Sequence, residues 1–219
     1  MRRCCVLLLP LLLQAEDPEL GRIEIAPPDA RLSIDSNRPV DSAAKTLATD
    51  YGISISSEDP VSIDAANQRF GLEAHFAVNP QGFLQSVRAA LETVVNAANA
   101  KLPYTFRLEQ DGDDWTFVPV PALLDRHVTI PPGRRRVNEH VKLLTDALSA
   151  QTGFHVSCCQ GAIAGYPWGM ETIDFAAYDE PARSVLRRLI RATPGRHYYL
   201  QRCSTVTVPW CFINLKTLH

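Results

Sequence analysis

Apolar positions along Leu143–Val156, with the turn before it, follow a helical period and then switch to alternation. Val141, Leu144 and Leu148 fall at i, i+3 and i+7, one stripe of a 3.6-residue repeat. Asn138 is placed to cap the helix, and Glu139 puts a negative charge in its first turn, where exposed N–H groups favour one. Gly153 follows as the stop, because the chain must there enter the left-handed region that glycine reaches cheaply. Phe154, Val156 and Cys158 then alternate with His155, Ser157 and Cys159, the period of a half-buried strand. A looser copy lies about a hundred residues earlier. Val40, Ala44, Leu47, Ala48 and Tyr51 form the stripe, Gly52 the stop, and Ile53 and Ile55 the strand, with Pro39 in the first helical turn.

The rest of the chain extends both copies. Extended segments flank a Pro27-Pro28-Asp29 turn. Leu72, Ala74, Phe76 and Val78 alternate as a strand, and Asn79-Pro80 is expected to open a second helix whose apolar face carries Phe83, Val87, Leu91 and Val94. Asp111-Gly112-Asp113 joins two alternating runs as a hairpin. Val118-Pro119-Val120-Pro121 is the expected linker, since proline stiffens the chain and removes a ladder donor. A second cycle begins with a short strand at 127–130, a basic turn at Arg134–Arg136, and the central helix. The run 174–183 aligns with 75–84, the fourth helix carries Ala182, Val185, Leu186, Leu189 and Ile190, and a hairpin from His197 to Ile213 closes the chain. The expected fold class is α+β, as two tandem two-layer domains over 22–120 and 127–215, each a small mixed sheet with two helices on one face.

Composition changes this picture mainly through compartment. The first 15 residues have the form of a signal peptide: Arg2 and Arg3, an apolar run from Cys4 to Leu13, then Gln14-Ala15. About ten apolar residues are too few to cross a bilayer, which needs about 20. The formal charge is −2, and loss of Arg2 and Arg3 takes it to −4, so no strong field points to nucleic acid. The expectation is export to a bacterial periplasm, with no membrane span in the mature chain. Cys158, Cys159, Cys203 and Cys211 would then be disulfide candidates. Cys158 and Cys159 point to opposite faces of a strand, so the expected bridge joins one of them to Cys203 or Cys211 on the terminal hairpin.

The order of helix, Gln151-Thr152-Gly153, alternating strand, second strand, proline-bearing helix start, Leu186-x-x-Leu189-Ile190 and final hairpin is similar to the short N-terminal domain of secretins and TonB-dependent receptors (STN). The resemblance covers Leu144–Val156 and Ile173–Val208, with a more diverged match over Ala43–Ile55 and Phe76–Val118. In those families the domain precedes a barrel or a pore, whereas no ten-residue barrel alternation follows here. The resemblance implies protein–protein contact in the cell envelope. It supplies no catalytic residue.

Candidate chemistry is sparse. Nucleotide-binding, zinc-protease and serine-nucleophile motifs are missing from the sequence, so no catalytic, metal or cofactor residue is assigned. The alternative to an interaction module is an exported metal-dependent or thiol enzyme built on His155, Cys158 and Cys159, with Cys203 or His197 completing the set. Tyr166 and Trp168, in a glycine-bounded loop, are a candidate surface for a glycan or peptide.

Overall fold

The computed structural model of the protein describes residues 21–63, 68–158, 169–204 and 209–218. The leader, Cys159, Tyr166 and Trp168 lie outside the described residues. The strands are β1 (Arg22–Ala26), β2 (Asp29–Ser36), β3 (Ile55–Glu58), β4 (Phe70–Ala77), β5 (Thr105–Asp111), β6 (Asp114–Val120), β7 (His127–Arg136), β8 (His155–Cys158), β9 (Thr172–Pro181), β10 (His197–Ser204) and β11 (Trp210–Thr217). The helices are α1 (Pro39–Tyr51), α2 (Val87–Lys101), α3 (Val137–Thr152) and α4 (Ala182–Arg191), with a 3-10 turn at Leu123–Asp125. This is the expected α+β class. Gly52 and Gly153 stop α1 and α3 at φ of 63° and 74°, the conformation for which glycine is suited.

Three sheets result. β1-β2-β4 and β7-β9 are small and antiparallel, and the third is six-stranded in the order β5-β6-β3-β10-β11-β8. The pairings repeat along the chain. β2 pairs β4 antiparallel as β7 pairs β9. β6 takes β5 antiparallel and β3 parallel, as β11 takes β10 antiparallel and β8 parallel. The two triplets meet where β3 and β10 pair in parallel, Leu200 beside Ser57 and Gln201 beside Glu58. The large sheet is therefore continuous from one half of the sequence to the other.

Strand alternation at this junction puts the helices of the two halves on opposite faces. Tyr198 and Leu200 of β10 cluster with Ala48 of α1. Tyr199 and Cys203, the alternate positions, join Leu144 and Leu186 in the second core. Ile55 of β3 belongs to the first core with Leu47, Leu72 and Leu91. The helices meet strands of both the small and the large sheets: α1 packs on β2 and β3, α2 on β4 and β5, α3 on β7 and β8, α4 on β9 and β10. α1 is buried over its first ten residues, Pro39 to Ala48.

Several expected boundaries move. α2 starts at Val87 with Ser86 as its cap, whose hydroxyl accepts from Ala89 N. Asn79 does bond ahead, to the N–H groups of Gln81 and Phe83, but it closes a turn, which Gly82 at φ 84° keeps from continuing as a helix. Phe83 is consequently left on the surface. α3 starts at Val137, so Asn138 lies inside its first turn, and Glu139 reaches back to the N–H of Arg136. Arg134–Arg136 belong to β7 and not to a turn. The expected linker at 118–121 is mostly strand. Pro119 pairs opposite Phe106, whose N–H and C=O bond the Asn99 side chain, so the ladder asks no donor of the proline.

Candidate functional site

The most concentrated charge in the described structure lies where α4 crosses the first half's strands. Arg183, Arg187 and Arg191 follow one another at i, i+4 and i+8, which puts them on one helix face. Arg183 forks onto Glu58 of β3, with Nε–Oε1 at 2.6 Å and Nη2–Oε2 at 2.8 Å. Its Nη1 reaches Asp125 at 2.6 Å and Glu109 at 3.1 Å. Tyr199 donates its hydroxyl to Glu58 Oε1 at 2.7 Å. Arg187 donates to Thr116 at 2.7 Å, and Arg191 to Asp114 at 3.0 Å. The Glu58 side chain is fully buried and that of Arg183 is 5% exposed. Burial opposes the Arg183 charge, but the bonds to Glu58 outweigh it and hold the guanidinium above its ordinary pKa. Burial, with the Glu58 charge, pushes the Tyr199 phenol well above its usual range. The cluster is closed and internally bonded, a clamp between the halves.

A second cluster sits on the other face of the junction. Arg38, before α1, bonds Asp59 at 2.7 Å and the Cys203 carbonyl at 3.0 Å. Asp59 accepts from Cys203 N, and its own N–H donates to Gln201 O. Arg202 of β10 reaches Asp41 of α1 at 2.7 Å, and Ser57 donates to the same carboxylate. Burial raises the Asp59 carboxyl to about 6, against the pull of Arg38. A shallow cleft beside it is lined by Arg38, Val40, Asp59, Ile63, Tyr104 and Phe106.

The predicted chemistry is distributed differently. Cys203 and Cys211 face each other across the β10–β11 hairpin and form a disulfide with each other, with Cα atoms 4.1 Å apart. That overturns the expected bridge from Cys158 or Cys159 to the hairpin: Cys203 and Cys211 are opposed in register, whereas on β11 Cys158 stands opposite Ile213. Cys158 is also disulfide-bonded, and its partner lies outside the described residues. Thiols in disulfides offer neither a nucleophile nor a thiolate ligand. His155 is exposed on β8, and His197 bonds the Pro194 carbonyl at 2.7 Å. Among the described residues no group of three or more His, Cys, Asp or Glu side chains is placed to hold a metal. Also among them, no helix is long and apolar enough to cross a membrane.

No family model matches the chain, and neither curated proteins nor solved structures supply a match.

Two features were missed in the sequence. The arginine ladder of α4 is legible as an i, i+4, i+8 spacing on a helix with no acid of its own, beside the apolar stripe that defines the helix. The other is His140, on the α3 face that packs beneath β9. It is completely buried against Phe175, with ring centroids 5.3 Å apart, and neither ring nitrogen makes a hydrogen bond of good geometry, the Ile173 backbone offering only a weak one. Burial depresses its pKa below 6.5. The unfolded chain therefore takes up a proton near pH 6.5 that the native state resists, and stability falls as pH drops below that value. Asp59 acts in the opposite sense between about 6 and 3.8, where its native carboxyl holds the extra proton. Comparing the protein with His140→Leu isolates the histidine: between pH 7.5 and 5.5 the melting temperature is expected to fall more in the unmodified chain. Equal falls would count against the uncharged, buried imidazole.

Proposed function

We propose that the protein is an exported, non-enzymatic interaction module of the cell envelope, made of two STN-like repeats fused through a common sheet. The observation that supports this reading is the repeated order of strand, helix, strand, strand, helix, hairpin, with the same pairings in both halves. In this reading the halves are tandem copies over 22–120 and 127–215, and the clamp gives them a fixed mutual arrangement. Rigid placement of the two copies suits presentation of a surface to a partner, and the Arg183 fork, bonded to Glu58 and Asp125, serves to hold the halves together.

The surface best suited to a protein partner is the end of the β1-β2-β4 sheet. Phe83 is 66% exposed there and Ile25 49%, and a Cβ placed on Gly82 would lie 3.5 Å from the Ile25 side chain. Exposed apolar side chains grouped in this way mark contact sites. Capture from envelope fractions with the unmodified protein is expected to recover a protein partner, and Phe83→Asp to lower the yield by about tenfold, the effect of one well-packed aromatic anchor. Recovery of no protein at any salt concentration would count against the reading.

A further inference from the structure

The junction between the halves joins two unlike edges, that of β3 and that of β10. Each has a counterpart at an outer edge of the large sheet: β8 repeats β3, and β5 repeats β10. Ile55 and Val156 stand three residues after the glycine that stops the preceding helix, at equal places in the two copies. On β3, Asp59 N–H donates to Gln201 O of β10, and by strand alternation Ser57 and Ile55 face the same way. On β8, His155 N–H donates to Pro209 O on the β11 side, so Val156 presents its N–H and C=O outward.

The outward N–H is already taken. Ser149 Oγ accepts from Val156 N at 2.9 Å and lies 3.3 Å from Val156 O, its one proton directed mainly to Thr145 O at 2.8 Å. In the first half the equivalent helix position, four residues before the stop glycine, is Ala48, which has no hydroxyl and packs on Tyr198 and Leu200 of β10. At the opposite edge Asn99 does what Ser149 does here. Its Oδ1 accepts from Phe106 N at 2.6 Å, and its Nδ2 donates to Phe106 O at 2.9 Å. Both outer edges of the large sheet therefore have outward backbone groups occupied by one helix side chain, the N–H and C=O of Phe106 by Asn99 and the N–H of Val156 by Ser149.

We propose that β8 and β5 are complementary edges, able to pair between copies of this chain as β3 pairs with β10 within it, and that Ser149 and Asn99 are caps that prevent it. Pairing of this kind is heterologous and does not close on itself in two subunits, so an uncapped chain would build a head-to-tail array. The occupant held off is a second copy, argued from continuity with the internal junction. This inference does not depend on export or on an envelope partner.

The test uses the full chain carrying Ser149→Ala and Asn99→Ala together, compared with the unmodified protein by sedimentation over a range of concentrations. The double variant is expected to keep native circular dichroism and to form species at multiples of the single-chain mass. Half-association should need at least about tenfold less protein than in the unmodified chain, the effect of freeing the Val156 donor at one edge and the Phe106 donor and acceptor at the other. Adding Gln110→Pro, at an exposed β5 position with the same outward parity as Phe106, should return the single-chain mass. A folded double variant that stays at single-chain mass would overturn the proposal. So would association that Gln110→Pro leaves unchanged, or equal association of the unmodified protein.

Discussion

Arg183→Ala is expected to cost the fold about 3–5 kcal/mol, because it strands the buried Glu58 carboxylate without its cation. The loss would fall on a total of about 5–15 kcal/mol for a chain of this kind. Three features set the magnitude. Glu58 is fully buried, its two oxygens are both engaged by the arginine fork, and the Tyr199 hydroxyl, already bonded to Oε1, does nothing for Oε2. Arg183→Lys should recover little, since an ammonium cannot supply the fork that holds Glu58 while also reaching Asp125. Replacing the pair, Arg183→Met with Glu58→Leu, should recover part of the loss, as apolar substitutes for a buried ion pair commonly do. Denaturant midpoints at neutral pH check all three. A midpoint for Arg183→Ala within experimental error of the unmodified protein would show that Glu58 has other means of remaining buried.

The second large effect belongs to the Cys203–Cys211 bridge. It closes a loop of sequence separation 8, worth about 2–3 kcal/mol in the chain-entropy description. A bridge from β8 to the hairpin would close a far longer loop and stabilise more than this one does. The hairpin is central to the sheet, with β10 against β3 and β11 against β8. Cys203→Ala with Cys211→Ala should therefore lower global stability by about 2–3 kcal/mol. The same double variant should retain the six-stranded sheet. Loss of all cooperative unfolding would mean that the bridge, and not the packing of Tyr199 and Ile213, holds β10 and β11 in register.

Local order was legible where periodicity and one special residue agree. The stripes of α1 and α3, their stop glycines, and the Asp111-Gly112 hairpin all follow from short-range pattern. The second helix was misplaced because Asn79-Pro80 satisfies both a helix start and a turn, and Gly82, three residues on, selects the turn. The linker was misplaced because the cost of Pro119 depends on Asn99, a side chain on a neighbouring helix. The repeat was visible as sequence similarity, but nothing local says that β3 will pair with β10. That pairing separates residues by more than 140 positions, as the Tyr199–Glu58 bond with its separation of 141 does. The clamp was half-visible. Three arginines on one helix face announce acids elsewhere, and only the fold names them as Glu58, Glu109, Asp125 and Asp114.

Two halves that form one cooperative body, joined at β3 and β10, must unfold together. Native-state hydrogen exchange on the full chain tests this directly, read at the amides of Asp59 and Tyr199 on the junction and of Phe117 and Ile213 within the two triplets. Each of the four is expected to open with the same free energy, equal to that of global unfolding and lowered equally by Arg183→Ala. Opening of Asp59 and Tyr199 at a markedly lower free energy, with Phe117 and Ile213 differing from each other, would contradict it and leave two separate domains in contact.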